Sequence, residues 1–453
     1  MLTLKPLFGG DGGDCPEVTD DWTRYFGAIE WALCIPSTCN GKDALTLLQQ
    51  HDNLVDSYEL LKKWSVQVAN NASFAVDTFF TLSGFMVAYI WFGQEEKYGS
   101  KFIKSKKTWI AYYLHRYIRL TPVFMLVLGM NGTLFSYLVR GPHQYKFFSS
   151  VELVCSKTWW TNLIYVNNLV YPNEQCYEPA WYLPNDMQFY ALAPAILLLL
   201  LYSPAAGYLS SATLILASMC VTAATIVVYQ FPAISIIRAP SDTGETISED
   251  EAKDYSRLVY MAPWTRFPPY LIGLLFAYSW RKGISKLQLH KFMTFIIWMV
   301  AFAVALAIIY GLTDYAGGIQ LPVGVRALYG SVARPIWSLC ICWLIFACLT
   351  GRGGPVNDLL SWQGWLPLSR LSYCTYLLHF TVIKVSFASN EFALHWDTHF
   401  DWICKWISIV AATVFASFFL SCGFEVPIMR LEKLFFHSTK KEAGYSDINE
   451  NIQ

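Results

Sequence analysis

The sequence predicts an all-α polytopic integral membrane protein: a bundle of about nine transmembrane helices with a short cysteine-containing N-terminal outer segment. Three observations predict it. Hydrophobic residues make up 55% of the 453 and charged residues only 15%, against ~25% charged in a soluble domain. Mean hydropathy is +0.34. Apolar runs of the length that crosses a bilayer, ~20 residues, recur along the chain. Lys+Arg and Asp+Glu both number 33. That balance excludes the basic surplus of a nucleic-acid binder, and the hydrophobicity excludes disorder.

The expected spans are residues 74–92, 109–130, 189–202, 209–231, 267–280, 292–310, 335–350, 371–387 and 402–424. Three are short by hydropathy and must borrow flanking residues. The breaks fall at Gly93-Gln94, at Tyr202-Ser203-Pro204 and across residues 241–254. Lys/Arg in short loops set orientation. Lys97, Lys101, Lys104, Lys106 and Lys107 follow the first span. Arg281, Lys282, Lys286 and Lys291 precede the sixth, and Arg430, Lys433, Lys440 and Lys441 follow the ninth. Nine spans place all three groups on one side, read as cytoplasmic, with the N-terminus outside or luminal. The acidic 242–254 loop and the sequons at Asn71 and Asn131 fall on the other side.

Cys15, Cys34, Cys39, Cys155 and Cys176 are expected outside, where disulfides form. Cys155 with Cys176 would staple one outer loop. Two of Cys15, Cys34 and Cys39 could pair, leaving one without a mate. Residues 1–8 are too short for the apolar core of a signal peptide.

Polar groups inside spans default to function because burying them is costly. Asp77 and Ser83 lie in the first span, Arg116 and Arg119 in the second, His379 in the eighth. At the rise of a helix, Ser83, Arg119 and His379 lie about 14, 15 and 12 Å from their cytoplasmic ends. They are expected to converge on one cytoplasm-open cavity, with Arg116 at its mouth. The competing readings are packing for Ser83-Gly84, snorkelling for the arginines, and an interhelical hydrogen bond for His379. His51 and Asp56 match an acyltransferase dyad spacing that arises readily by chance. His395 and His399 have helical metal-ligand spacing without a neighbouring Cys or Glu, so no metal site is expected. No phosphate-binding loop, dinucleotide fingerprint or nucleophile elbow is present.

Together these segments resemble acyltransferase family 3. Phe79-Phe80-Thr81-Leu82-Ser83-Gly84-Phe85, Arg116-Tyr117-Ile118-Arg119-Leu120-Thr121-Pro122 and the Tyr373 to His379 run each resemble one of its signatures. The stretches from Ala180 to Phe189 (with Asp186 and Gln188), Thr265 to Gly273 and Trp362 to Arg370 resemble its animal branch, the nose-resistant-to-fluoxetine proteins. Trp31 to Cys39 resembles the end of that branch's outer domain. The resemblance implies residues 1–50 as a remnant of the outer domain, 51–436 as the transmembrane domain and 437–453 as a cytoplasmic tail.

It also implies a membrane acyltransferase moving an acyl group, often acetyl, from acyl-CoA to a hydroxyl of a lipid, carbohydrate or other small acceptor. The implied roles are His379 as base, Ser83 as a positioning or catalytic hydroxyl, and Arg116 and Arg119 for coenzyme A phosphates. Asp77, Asp186 and Gln188 would be substrate-facing or structural polar groups. Acyl-CoA is a co-substrate, with no tightly bound cofactor; membrane lipid is the expected surrounding, in the plasma membrane or an endomembrane. One departure stands out. The family has a further helix, bearing an Arg and a His taken to be catalytic, ahead of the Ser83 helix. Residues 40–73 leave no room for it, so a shortened chain is expected. The alternative reading is a catalytically impaired member acting in lipid or xenobiotic transport or as a membrane interaction protein.

Overall fold

The computed structural model describes residues 67–139, 144–233, 249–316, 319–389, 399–432 and 434. Cys15, Cys34, Cys39, His51, Asp56, His395, the side chain of His399, and residues 1–50 and 437–453 lie outside them. The described residues are helical with short connections and contain no strand. Nine long helices cover the nine expected segments: α1 (Ser73–Tyr98), α2 (Lys106–Gly129), α4 (Tyr182–Tyr202), α5 (Pro204–Tyr229), α6 (Pro263–Lys282), α7 (Lys291–Tyr310), α8 (Val323–Leu349), α9 (Trp365–Ala388) and α10 (His399–Leu420). Seven, with the turns that extend them, are long and apolar enough to cross a membrane. α6 and α9 fall short because they carry arginine, proline, serine and tyrosine. Large side chains such as Leu209, Val228 and Phe302 stand more than half exposed on the outward faces. The chain is a multi-pass integral membrane protein.

Local chemistry explains several boundaries. Ser203 caps α5 by accepting the Ala206 N–H, and Pro204 occupies the first turn, where its missing N–H costs nothing. Gln230 ends the helix in a left-handed conformation. Most helices outrun the apolar segments by several residues, because hydropathy stops at the first charge whereas backbone hydrogen bonding does not.

The closest helix pair is α1 with α6. A Cβ at Gly84 would overlap the Tyr270 carbonyl oxygen, and one at Gly273 would overlap that of Thr81. The two backbones touch, as small residues allow between membrane helices. Phe80, Phe85, Phe189, Tyr270 and Leu274 pack around this crossing to form the main core.

A tenth long helix, α3 (Gln144–Leu163), and the segment after it correct the expected outer loop. Tyr117 Oη donates to the Leu163 carbonyl at 3.2 Å, and the hydroxyls of Thr121 and Tyr165 share a hydrogen bond of 3.0 Å. Thr121 lies near the middle of the 29-residue span from Lys106 to Leu134. The end of α3 therefore sinks to mid-span, and the chain then returns to a Cys155–Cys176 disulfide with Cys155 packed on Gly132. Irregular backbone at that depth is tolerated only inside protein. Tyr165, Asn167 and Asn168 are accordingly buried. Both sequons also differ from expectation. Asn71 is buried and donates to the Ile309 carbonyl, and Asn131 is buried against Thr381. Neither is free to carry a glycan in this fold.

Candidate functional site

α1, α2 and α4 meet at Asp186. Ser83 Oγ donates to Asp186 Oδ1 at 2.7 Å, and the Arg116 guanidinium pairs with Asp186 Oδ2. Asp186 is buried, Ser83 half-buried, and the Arg116 side chain keeps 20% of its surface open. The guanidinium lies 4.2 Å from the centre of the Tyr190 ring. That ring stacks on Tyr112 at 4.1 Å, and each tyrosine hydroxyl donates to the other's backbone carbonyl. Arg116 is thus fixed by an acid on one side and an aromatic face on the other, the arrangement its planar charge favours. Ser83 sits beside the Gly84 contact, so the close approach of α6 also holds the hydroxyl in place.

The expected single polar layer is corrected here. Arg116, assigned to the mouth, lies in the cluster. Arg119, assigned to the interior, is exposed and has no hydrogen bond or ion pair among the described residues. His379 is elsewhere. Tyr373 Oη donates to the Leu120 carbonyl and Thr381 Oγ1 to Asn131 Oδ1, so α9 runs parallel to α2 in a fixed register. Arg116 is four residues before Leu120, and His379 is six residues after Tyr373. The two are therefore about 15 Å apart along the helix axes. Tyr182 and Tyr376 stand between, their ring centres 5.5 Å apart, with Tyr376 5.9 Å from His379. The depth estimate failed because the helices are staggered along the bundle: Tyr373, eight residues into α9, meets Leu120, fourteen residues into α2.

His379 lines a cavity of about 350 Å³ between α9 and α10. Ile383, Phe387, Ile409 and Val410 make it apolar, and Lys405 is its cation. His379 Nδ1 lies 2.6 Å from the Tyr376 carbonyl oxygen. A carbonyl only accepts, so Nδ1 carries the proton, and when the ring is neutral its lone pair is on Nε2.

Gln188 belongs to a structural amide net. Its Nε2 donates to the Tyr165 carbonyl and to Asn168 Oδ1; Asn168 Nδ2 donates to Asn185 and Gln188; Asn185 reaches the Met261 carbonyl. This net fastens the sunken hairpin to α4, one turn from Asp186. Asp77 accepts from Arg266 Nη1 at 2.9 and 2.8 Å, with Arg334 Nε 3.9 Å away. Arg266, Arg334 and Lys405 escaped sequence reasoning. The first two stand immediately before the apolar stretches that begin at residues 267 and 335, where a hydropathy boundary excludes them. Among the described residues no group of three His, Cys, Asp or Glu side chains gathers for a metal.

The model of the acyltransferase domain family matches residues 47–422. This chain belongs to acyltransferase family 3. It is 32% identical over 411 residues to Nose resistant to fluoxetine protein 6 of Caenorhabditis elegans, covering 87% of this chain and 49% of the relative. It is 27% identical over 375 residues to Regulator of hypoxia-inducible factor 1 of the same organism, covering 80% of this chain and 69% of that one. The chain thus spans about half the length of the first relative and about two thirds of the second. No solved structure matches it. The family match covers every described long helix and both clusters, those of Asp186 and of His379.

Proposed function

We propose that this protein transfers an acyl group, acetyl or longer, from acyl-CoA to a hydroxyl of a lipid, carbohydrate or other small acceptor. The observation that carries this reading is the hydrogen bond between His379 Nδ1 and the Tyr376 carbonyl beside an apolar cavity. A hydroxyl near pH 7 needs a base to become a nucleophile. Nε2 takes the acceptor's proton as its oxygen attacks the thioester carbonyl. The C–S bond breaks, and the proton passes to the departing coenzyme A sulfur. Lys405 supplies positive charge in the same cavity for the oxyanion, and the aliphatic wall suits an acyl chain. With Arg116 held by Asp186, Arg119 is the cation left for coenzyme A phosphates. Ser83, already donating to Asp186, acts in this reading as a positioning group and not as a nucleophile. The orientation assigned from the loop charges, N-terminus outside or luminal, in the plasma membrane or an endomembrane, belongs to the same proposal.

The test is thiol release from acetyl- and long-chain acyl-CoA by purified protein, with and without hydroxyl acceptors. His379→Ala should abolish release and leave acyl-CoA binding unchanged. Arg119→Ala should weaken binding. Release that survives in His379→Ala overturns the base assignment.

A second reading rests on the separation of about 15 Å along the helix axes between Arg116, in the Asp186 cluster, and His379. A chain with its polar groups divided in this way would act in lipid or xenobiotic transport, or as an interaction protein, without catalysis. Wild-type protein that binds acyl-CoA or lipid and releases no thiol decides for it.

A further inference from the structure

The Asp77 cluster has more positive than negative charge. Arg266 and Asp77 are sealed from solvent, with side-chain exposures of 0% and 1%. Arg266 Nη1 takes both carboxylate oxygens, and its Nε donates to the Tyr260 carbonyl. Arg334 approaches the same carboxylate at 3.9 Å. Its Nη1 reaches only the Val259 and Thr265 carbonyls, at 3.3 and 3.4 Å. Two guanidinium groups therefore share one carboxylate. Arginine does not deprotonate in proteins, so among the described residues one positive charge remains without a counter-charge in the interior of the bundle. Arg266 Nη2 is buried and has no hydrogen-bond partner among the described residues.

The rings of Trp181 and Tyr260 lie 5.3 and 4.9 Å from the Arg266 guanidinium. Their faces attract a cation but carry no net charge, so the excess remains. Arg334 keeps 12% of its side-chain surface open, so an ion can approach it, whereas Arg266 is closed off. A buried charge without a counter-charge is unfavourable, and a mobile anion removes the penalty.

We infer that Arg334, backed by Arg266, forms a binding site for one small monovalent anion of the halide class, on the Asp77 side of the α1–α6 crossing. The site is independent of acyl transfer, since it shares no residue with the His379 cavity or the Asp186 cluster. Its occupation completes the charge balance that holds α1, α6 and α8 together.

The test uses the whole protein, purified in detergent and exchanged into gluconate. Chloride added at constant ionic strength should raise the unfolding midpoint to a plateau, and bromide should bind with a stoichiometry of one in calorimetry. Arg334→Gln removes the excess charge and should abolish both effects. Asp77→Asn raises the excess and should tighten bromide binding. Arg281→Gln, which removes an ion pair with Glu96, should leave both as in wild type. Absence of bromide binding to wild-type protein overturns the inference whether or not any variant folds. So does binding that is unchanged in folded Arg334→Gln.

Discussion

At the scale of single residues, the Asp186 carboxylate carries two partners that the sequence reading put in one cavity, Ser83 inside it and Arg116 at its mouth. Ser83 and Arg116 were legible because hydroxyl and guanidinium groups inside apolar stretches are costly, and their type alone marks them. That Asp186 joins them was not legible, since nothing along the chain relates positions 83, 116 and 186. The pairing makes a prediction. Asp186→Asn leaves the Arg116 charge without its counter-ion, which for a buried pair costs about 3 kcal/mol, the lower end of the range because Arg116 is partly open. The double variant Arg116→Met, Asp186→Leu replaces the pair by apolar volume and should recover most of the loss. Thermal unfolding of the two variants beside wild type measures this. Equal destabilisation by the single and double changes would mean that the pair contributes through shape and not through charge.

Helices and hairpins show where one-dimensional reading stops. Nine apolar stretches marked nine helices, yet the depths computed from their ends misplaced Arg119 and His379. Equal depth within each helix does not bring side chains together when the helices are staggered, as Tyr373 against Leu120 shows, or when one side chain, that of Arg119, stands on an exposed face. The hairpin of α3 was unreadable for another reason. With Lys157, Glu152 and several amides it lacks the apolar signature, and it reaches mid-span only because protein surrounds it. Its disulfide closes a loop over a sequence separation of 21 residues, worth ~3 kcal/mol in the chain-entropy view. Replacing Cys155 and Cys176 together by serine should cost about that much and should expose the Asn168 net to hydrogen exchange. Unchanged exchange in the double variant would show that the amide net holds the hairpin unaided. The α1–α6 crossing makes a sharper contrast. Gly84→Ala forces two backbones apart, an overpacking change of about 1–3 kcal/mol. Gly129→Ala, where an added Cβ meets nothing within 4 Å, should gain about 0.5–1 kcal/mol from helix propensity alone. Midpoints that move together in the two variants would remove the claim that the backbones touch.

For the whole molecule, orientation decides which compartment each cluster can sample. α2 and α9 run parallel, so the His379 cavity lies toward the Gly129 end of α2 and the Asp186 cluster toward its Lys106 end. Lysines at positions 97, 101, 104, 106 and 107 crowd the Lys106 end, and such clusters stay in the cytoplasm. In the proposed orientation the Asp186 cluster lies nearer the cytoplasm and the His379 cavity nearer the exterior or lumen. The cavity was expected to open to the cytoplasm, so acyl-CoA would have to reach across the bundle from Arg119 to Nε2 of His379. A glycosylation tag inserted within residues 97–107 should stay unmodified, and one within residues 242–254 should be modified. The native sequons cannot report this, because Asn71 and Asn131 are buried. The reverse tag pattern would turn the molecule over and bring the His379 cavity toward the cytoplasm. Acyl-CoA would then reach the base directly, while Arg119 would lie on the far side of it.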